Sequence, residues 1–264
     1  MATSASRIDS LARLLIDART AGESIDSLPP AFAPADVVEA QLVDDRVAEL
    51  SGWPVLGWKI GCTSEHAQKL LGADGPFAGR IYSIHQSGVV LADDDLMVEP
   101  KLEGEIAFEI GHDLGPFDGA CERSVVSDAV SAVMPAIEFV GGRFTTFIGA
   151  PLLHVIADAG SNSLLVVGDR SDPACIDGLD AAQARMEVDG EITGQGRGAD
   201  VLGHPLTALV WLVDHLSGRG IGLSAGQIVT TGTATQVSKL PVGSTAVATV
   251  EGLGSVAVSH GRGH

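Results

Sequence analysis

Two glutamates two residues apart, in Lys101-Leu-Glu-Gly-Glu-Ile-Ala-Phe-Glu-Ile110, carry the clearest chemical signal in the chain. Side chains alternate across an extended strand. Glu103, Glu105 and Glu109 therefore share one face with Lys101 and Ala107, while Leu102, Ile106, Phe108 and Ile110 take the other. Two carboxylates so spaced can grip one hard cation, or can simply form a solvated outer face. A third acid, Glu138, sits in the apolar run Ala-Val-Met-Pro-Ala-Ile-Glu-Phe-Val. A carboxylate there is partly buried and needs a partner. The candidates are Arg143, backbone amides, or a cation shared with Glu103 and Glu105. In the last case the three acids repel one another and resist ionisation until a cation enters. Three glutamate oxygens completed by water suit Mg²⁺ or Mn²⁺, whereas zinc would recruit His or Cys.

Lys59 lies in Val-Leu-Gly-Trp-Lys-Ile-Gly-Cys. Loss of solvation in such a strand should lower its pKa and fit it for acid–base work; the alternative is a lysine that snorkels to water. Thr231-Gly232-Thr233 could bind a carboxylate through backbone amides or could be only a turn, and Ser161 and Asn162 carry the same ambiguity. Arg80, Arg143 and Lys101 are further sources of positive charge for an anionic ligand. The other patterns point away from familiar sites. His66, His112, His154, His204 and His215 have no ligand spacing, and no P-loop or H-E-x-x-H occurs. Gly194-Gln-Gly-Arg-Gly198 follows a hairpin instead of opening a helix after a parallel strand, which argues against a dinucleotide fingerprint.

The elements that must position these groups can be read from period and punctuation. Ile8, Leu11, Leu14, Leu15 and Ala18 recur at helical spacing before Gly22. A second helix is expected from about Pro34 to Leu50, a strand over Val55–Gly61, and a short helix capped by Ser64 and stopped at Gly72. After Gly75 short apolar alternations take over. Strands are expected at Arg80–Ser83, Gly88–Ala92, Met97–Gly111, Ala136–Val140, Ser163–Val167, Arg185–Thr193, Gln227–Thr231, Thr245–Val250 and Ser255–Ser259. Asp189-Gly190 is a two-residue hairpin signal, and Glu251–Gly254 looks like a second turn. Helices are expected near Glu122–Val133, from Pro151 to Gly160, and from Pro205 to Gly218. This order lacks regular β-α-β alternation and gives an α+β fold: a helical region over 1–75 and a mixed β-rich domain over 76–264.

Composition narrows the function classes. The 264 residues carry a formal charge of −18, with 45% apolar residues and only 19% charged, so the chain should fold around a core. The 16 basic residues are scattered, which argues against nucleic-acid or anionic-membrane partners. An anionic substrate would be repelled globally and must be held by local cations or a metal. Cys62, Cys121 and Cys175 are far apart and suit reduced thiols; no signal peptide or membrane span is evident, so a cytoplasmic protein is expected.

Gly57-Trp-Lys-Ile-Gly-Cys-Thr-Ser64, Pro100-Lys-Leu-Glu-Gly-Glu-Ile-Ala-Phe108, Ile137-Glu138, Ala157-Asp-Ala-Gly-Ser161 and Thr231-Gly-Thr233 occur in that order. This resembles the 2-keto-4-pentenoate hydratase family of the fumarylacetoacetate hydrolase superfamily, whose 2-oxo-3-hexenedioate decarboxylases are close relatives. The resemblance runs from about residue 8 to 259. It implies an N-terminal helical part and a mixed β-roll with Mg²⁺ or Mn²⁺ at its mouth, held by Glu103, Glu105 and Glu138. It implies that Lys59 is the active-site lysine, that Ser161 lies near the substrate, and that the protein is a homo-oligomer. The activity implied is addition of water to a 2-hydroxy-2,4-dienoate to give a 4-hydroxy-2-oxoacid in aromatic-compound catabolism. Decarboxylation, fumarylacetoacetate-type C–C hydrolysis and a non-catalytic metal-binding protein are the alternatives. Phe77 stands where hydratases of this kind often carry an acid. The hydrolase branch uses a His-x-x-Glu dyad; the nearest match here, His66-Ala-Gln-Lys69, lacks the acid.

Overall fold

The computed structural model describes residues 4–26, 28–92, 101–145 and 151–261. Two helices come first, α1 (Ser4–Ala21) and α2 (Val37–Ser51). Asp36 caps α2 by accepting from the Glu39 amide, and Gly52 ends it in the left-handed conformation. Then follow β1 (Gly57–Gly61), α3 (Glu65–Leu71), β2 (Phe77–Ile81), β3 (Ile84–Gln86), β4 (Val89–Leu91) and β5 (Lys101–Ile110). Helix α4 (Arg123–Asp128) precedes the long β6 (Val130–Val140), and α5 (Leu152–Ala157) leads through a tight turn into β7 (Asn162–Val167). The hairpin β8 (Gln183–Val188) and β9 (Glu191–Arg197), helix α6 (Pro205–Ser217), β10 (Ile228–Thr233), β11 (Ser238–Lys239), β12 (Thr245–Val250) and β13 (Gly254–His260) complete the chain.

The strands form two mixed sheets. The larger runs β2-β1-β10-β5-β6-β7-β3, with β11 beside β5; the smaller runs β4-β13-β12-β8-β9. Strand β1, inside the first 75 residues, is hydrogen-bonded between β2 and β10 and so belongs to the larger sheet. Leu102, Ile137, Phe139, Leu164 and Val166 meet Met186, Ala246, Ala248, Val256 and Val258 of the smaller sheet in one dry layer. Further along the same sheet, Ile106 and Phe108 pack with Leu209 and Leu212 of α6. Helices α1, α2 and α5 share a separate core around Leu11, Leu15, Ala40, Val43 and Ile156. Among the described residues no helix is long and apolar enough to cross a membrane.

Most expected elements form, with two instructive shifts. The helix expected over Glu122–Val133 stops at Asp128, and the strand expected from Ala136 starts at Val130. Ten residues of β6 pair with β5, and that ladder claims Val130–Val133 over their helical spacing. The strand expected at Arg80–Ser83 forms earlier, at Phe77–Ile81, where it pairs with β1. Residues 97–100 of the strand expected from Met97 lie outside the described residues. The two hairpin turns form as read: Asp189 and Gly190 both have positive φ, as do Gly252 and Gly254.

Candidate metal centre and its cavity

Strands β5 and β6 place Glu103 and Glu138 directly opposite each other, with Glu105 one pleat along opposite Ala136. One carboxylate oxygen from each of the three lies within 4.8 Å of the others. Glu105 and Glu138 are fully buried, and Glu103 is half-buried where it lines a cavity of about 80 Å³. Like charges directly across a strand pair repel, so such an arrangement needs compensation.

Lys59 supplies part of it. From β1 its Nζ reaches Glu138 Oε1 at 3.2 Å, with only 4% of the side chain exposed. Burial alone pushes the ammonium pKa down, but Glu138, Glu103 and Glu105 together outweigh burial and lift it above the ordinary lysine value. The lowered pKa expected for a desolvated strand lysine does not arise: three carboxylates around one ammonium reverse the sign, so Lys59 is a cation at neutral pH. The acids pay in the opposite direction: burial and then Glu138 push Glu103 up to about 7, and burial with Glu138 and Glu103 raises Glu105 well above the carboxylate range.

The remaining oxygens are disposed for a cation. Glu105 Oε2 accepts from the Gly232 amide at 2.8 Å, and Glu138 Oε1 accepts from Asn162 Nδ2 at 2.9 Å. Glu105 Oε1 and Glu138 Oε2 are buried with no hydrogen-bond partner among the described residues. Two orphaned anionic oxygens beside a third carboxylate fit one hard divalent ion, whose charge would replace the missing donors.

Two glycines make the approach possible. Gly232 has φ 103°, and a Cβ there would lie 1.9 Å from Thr63 Oγ1, so only glycine brings its amide to Glu105. Gly160, at φ 64°, admits both Lys59 and the Phe77 ring; a Cβ would stand 2.9 Å from Lys59 Cδ and 3.0 Å from that ring. Its neighbours Ala159 and Ser161 also have left-handed φ, 51° and 58°. Such a conformation costs roughly 1–2 kcal/mol per non-glycine residue. It is imposed where the chain turns to deliver Asn162 behind Glu138.

Asn162 is held from behind. Its carbonyl accepts from Arg19 Nη2 of α1 at 2.6 Å and from Arg143 Nη2 at 3.0 Å. Arg143 is not paired with Glu138. It is buried against Asp158, with Nε 3.1 Å from Oδ1, and its own amide donates to the same carboxylate. Arg80 also stays away from the cavity: it donates to Asp44 and Asp45 of α2 and lies over the Trp58 ring at 4.5 Å. The two arginines expected at a ligand are thus structural cations behind the sheet. Ser161 is buried without lining the cavity; its hydroxyl lies against Gly142 beside Asp158. Thr231 donates to the Ile106 carbonyl, while Gly232 and Thr233 do line the cavity. In the sequence Asn162 is only an ambiguous polar residue, and its place beside Ser161 is its one signal. Arg19 gave no signal, because its partner is far away in the chain, and Asp158 stood only inside the Ala157–Ser161 motif with no role of its own.

The fold and the acidic cluster define a class. The chain belongs to the fumarylacetoacetate (FAA) hydrolase C-terminal family, which matches residues 62–259. Within it, the chain is 33% identical to 2-keto-4-pentenoate hydratase of Paraburkholderia phymatum, across 96% of this chain and 97% of that protein. It is 32% identical to 4-oxalocrotonate decarboxylase of Pseudomonas putida, across 86% and 85%. Among solved structures it is similar to 4-oxalocrotonate decarboxylase from Pseudomonas putida G7 complexed with magnesium and adipate, with a TM-score of 0.89, 27% identity and coverage of 98% and 99%.

Proposed function

We propose that this chain is a divalent-metal-dependent hydratase that adds water to a 2-hydroxy-2,4-dienoate to give a 4-hydroxy-2-oxoacid. The observation that carries the proposal is the trio of the half-buried Glu103 and the buried Glu105 and Glu138, with two orphaned oxygens, beside a cavity that Lys59 also lines. Similarity to hydratases over nearly the whole chain supports the reaction type. The three carboxylates would hold one Mg²⁺ or Mn²⁺. When bound, that ion supplies Lewis acidity to a substrate's carboxylate and 2-oxygen.

The chain's own groups do the rest. Lys59, held protonated by the carboxylates, delivers a proton from Nζ to substrate C5 as the dienol becomes the 2-oxo-3-enoate, and takes up the proton released from the 2-hydroxyl. The Gly232 amide fixes Glu105, and Asn162 fixes Glu138, so the carboxylates are oriented before substrate arrives. Water then adds at C4, and a proton returns to C3. The sum is substrate plus one water.

A decarboxylase is the second reading, favoured by the similarity to 4-oxalocrotonate decarboxylase in both sequence and structure. There the substrate would be a 2-oxo-3-enedioate: the C5–C6 bond would break, the second carboxylate would leave as carbon dioxide, and its electron pair would pass along C5–C2 to the 2-oxygen, which takes a proton to give the 2-hydroxy-2,4-dienoate. The experiment presents the protein and Mg²⁺ with a 2-hydroxy-2,4-dienoate and, separately, with a 2-oxo-3-enedioate, follows the dienol ultraviolet absorbance and weighs each product. Gain of water supports the hydratase, and loss of carbon dioxide supports the second reading. Glu103→Gln should remain folded, bind Mg²⁺ more weakly and lose turnover; full activity of that variant in metal-free buffer would refute both.

A further inference from the structure

Behind the metal centre a second, smaller cavity of about 10 Å³ lies where α1, α2 and the turn after α5 meet. That is room for one occupant the size of a water or a monatomic ion. Arg19, Trp53, Tyr82, Arg143 and Asp158 line it, and none of them lines the cavity beside Glu103. Arg19, Trp53 and Tyr82 are half-buried, so on their side the cavity lies close to the surface.

Donors outnumber acceptors here. Arg143 uses Nη2 on the Gly141 and Asn162 carbonyls, both at 3.0 Å, and its Nε faces Asp158 Oδ1 at 3.1 Å. Its Nη1 is buried with no hydrogen-bond partner among the described residues, and so is the Tyr82 hydroxyl. A buried donor left without a partner is unfavourable, and more so on a charged group. Asp158 is the acid of the lining, and both its oxygens are committed to Arg143, Oδ1 to Nε and Oδ2 to the backbone amide at 2.5 Å. Arg19 donates to the Asn162 carbonyl at 2.6 Å and lies over the Tyr82 ring at 5.1 Å and the Trp53 ring at 5.8 Å. Two guanidiniums against one carboxylate leave a net positive charge. Asp44, whose charge also reaches Arg19, is held by Arg80. Burial and then the charge of Arg143 push Arg19 down to about 9, the response of a cation packed beside another with too little anion between them.

We propose that this cavity binds one chloride ion, held by Arg143 Nη1, the Tyr82 hydroxyl and the charge of Arg19. A water can accept from the same donors, but it carries no charge, and its own hydrogens would need acceptors that Asp158 has already committed. A monatomic anion supplies the lone pairs and the charge together. The volume leaves no room for a phosphate or a carboxylate. Bound chloride fixes the two guanidiniums whose Nη2 atoms share the Asn162 carbonyl, and so stiffens the turn that carries Asn162 to Glu138. The proposal is independent of the reaction catalysed.

Bromide can stand in for chloride and is located by its anomalous scattering. Crystals of the full chain soaked in sodium bromide are expected to show a peak against Arg143 and Tyr82; density without anomalous signal there identifies a water and overturns the proposal. Thermal denaturation of the Mg²⁺-loaded chain supplies the solution test. At constant ionic strength, replacing gluconate by chloride should raise the melting temperature along a saturable curve, by about 3–6 °C when chloride reaches ten times its Kd. No shift, or one that never saturates, means an adventitious ion only and overturns the proposal as well. Tyr82→Phe removes a hydroxyl that has no protein partner to lose, so the variant keeps its fold. Its Kd for chloride is expected to rise about 10-fold or more, the loss of one hydrogen bond to an ion. An unchanged curve would put the ion elsewhere and sink the proposal.

Discussion

Removing the amide of Asn162 should weaken the metal centre without touching a ligand. In the native protein Asn162 is fully buried, and its Nδ2 lies 2.9 Å from Glu138 Oε1. A hydrogen bond to a charged group contributes about 1.5–3 kcal/mol. In Asn162→Ala that oxygen keeps only Lys59, at 3.2 Å, and the carboxylate is free to rotate its oxygens. If the whole loss falls on metal binding, it corresponds to a Kd for Mg²⁺ raised about 10–100-fold, the usual range for a residue that orients a metal ligand. Any part of the loss borne by the metal-free protein instead lowers its melting temperature, by about 2–4 °C per kcal/mol for a chain of this size. Calorimetric titration with Mg²⁺ gives the affinity, and thermal denaturation with and without metal gives the stability. Turnover at saturating Mg²⁺ should recover to within about threefold of wild type, because Asn162 does not line the cavity. Asn162→Asp keeps the shape but sets an acceptor against an acceptor, and should be worse than alanine. A folded Asn162→Ala protein with wild-type Mg²⁺ affinity would refute the reasoning. So would unchanged affinity with a kcat that saturating metal does not restore.

Lys59→Met should lower kcat by about 10²–10⁴-fold with little change in KM, measured on the dienol, because it removes a proton donor and leaves the carboxylates in place; an unchanged kcat removes Lys59 from the reaction. Gly232→Ala should destabilise the fold by more than about 2 kcal/mol in urea titration, from a left-handed φ and a clash with Thr63; wild-type stability would show that β10 can relax. His215, stacked on Trp211 at 4.8 Å and bonded to Gln41, is pushed down to about 4, by burial and then by Arg219. A depressed pKa on a base means the folded state binds fewer protons than the unfolded one. That stability is therefore fully present above about pH 6.5 and is lost as pH falls toward 4. His215→Gln should flatten the stability–pH curve in this window, by about 1–3 kcal/mol at most; an unchanged slope would show that His215 is not the group responsible.

Local chemistry made much of the fold legible. The caps at Ser64 and Gly72, the Asp189-Gly190 hairpin and the Pro205 helix start are set by residues within a few positions, and each formed where read. The acidic pair was legible because a strand has period two, and Glu138 because a carboxylate in an apolar run demands an explanation. What the sequence hid depended on distant partners. Arg80 and Arg143 look like ligand arginines until Asp44, Asp45 and Asp158 are seen to hold them. The direction of the Lys59 shift turned on how many carboxylates surround it, which no single stretch of chain contains. The boundary between α4 and β6 was decided by pairing with β5, which overrode the local helical spacing.

The carboxylates and the far wall of their cavity hang on different parts of the scaffold. Glu103, Glu105 and Glu138 ride on a ladder in which β5 and β6 stay paired for ten residues, and a one-residue slip would turn them to the opposite side. Ala67 and Leu71, which line that wall, ride on a two-turn helix that carries no ligand. A substitution in α3 therefore alters the cavity wall without displacing Glu103, Glu105 or Glu138. An engineer seeking a new substrate would begin with those seven residues and leave the strands alone.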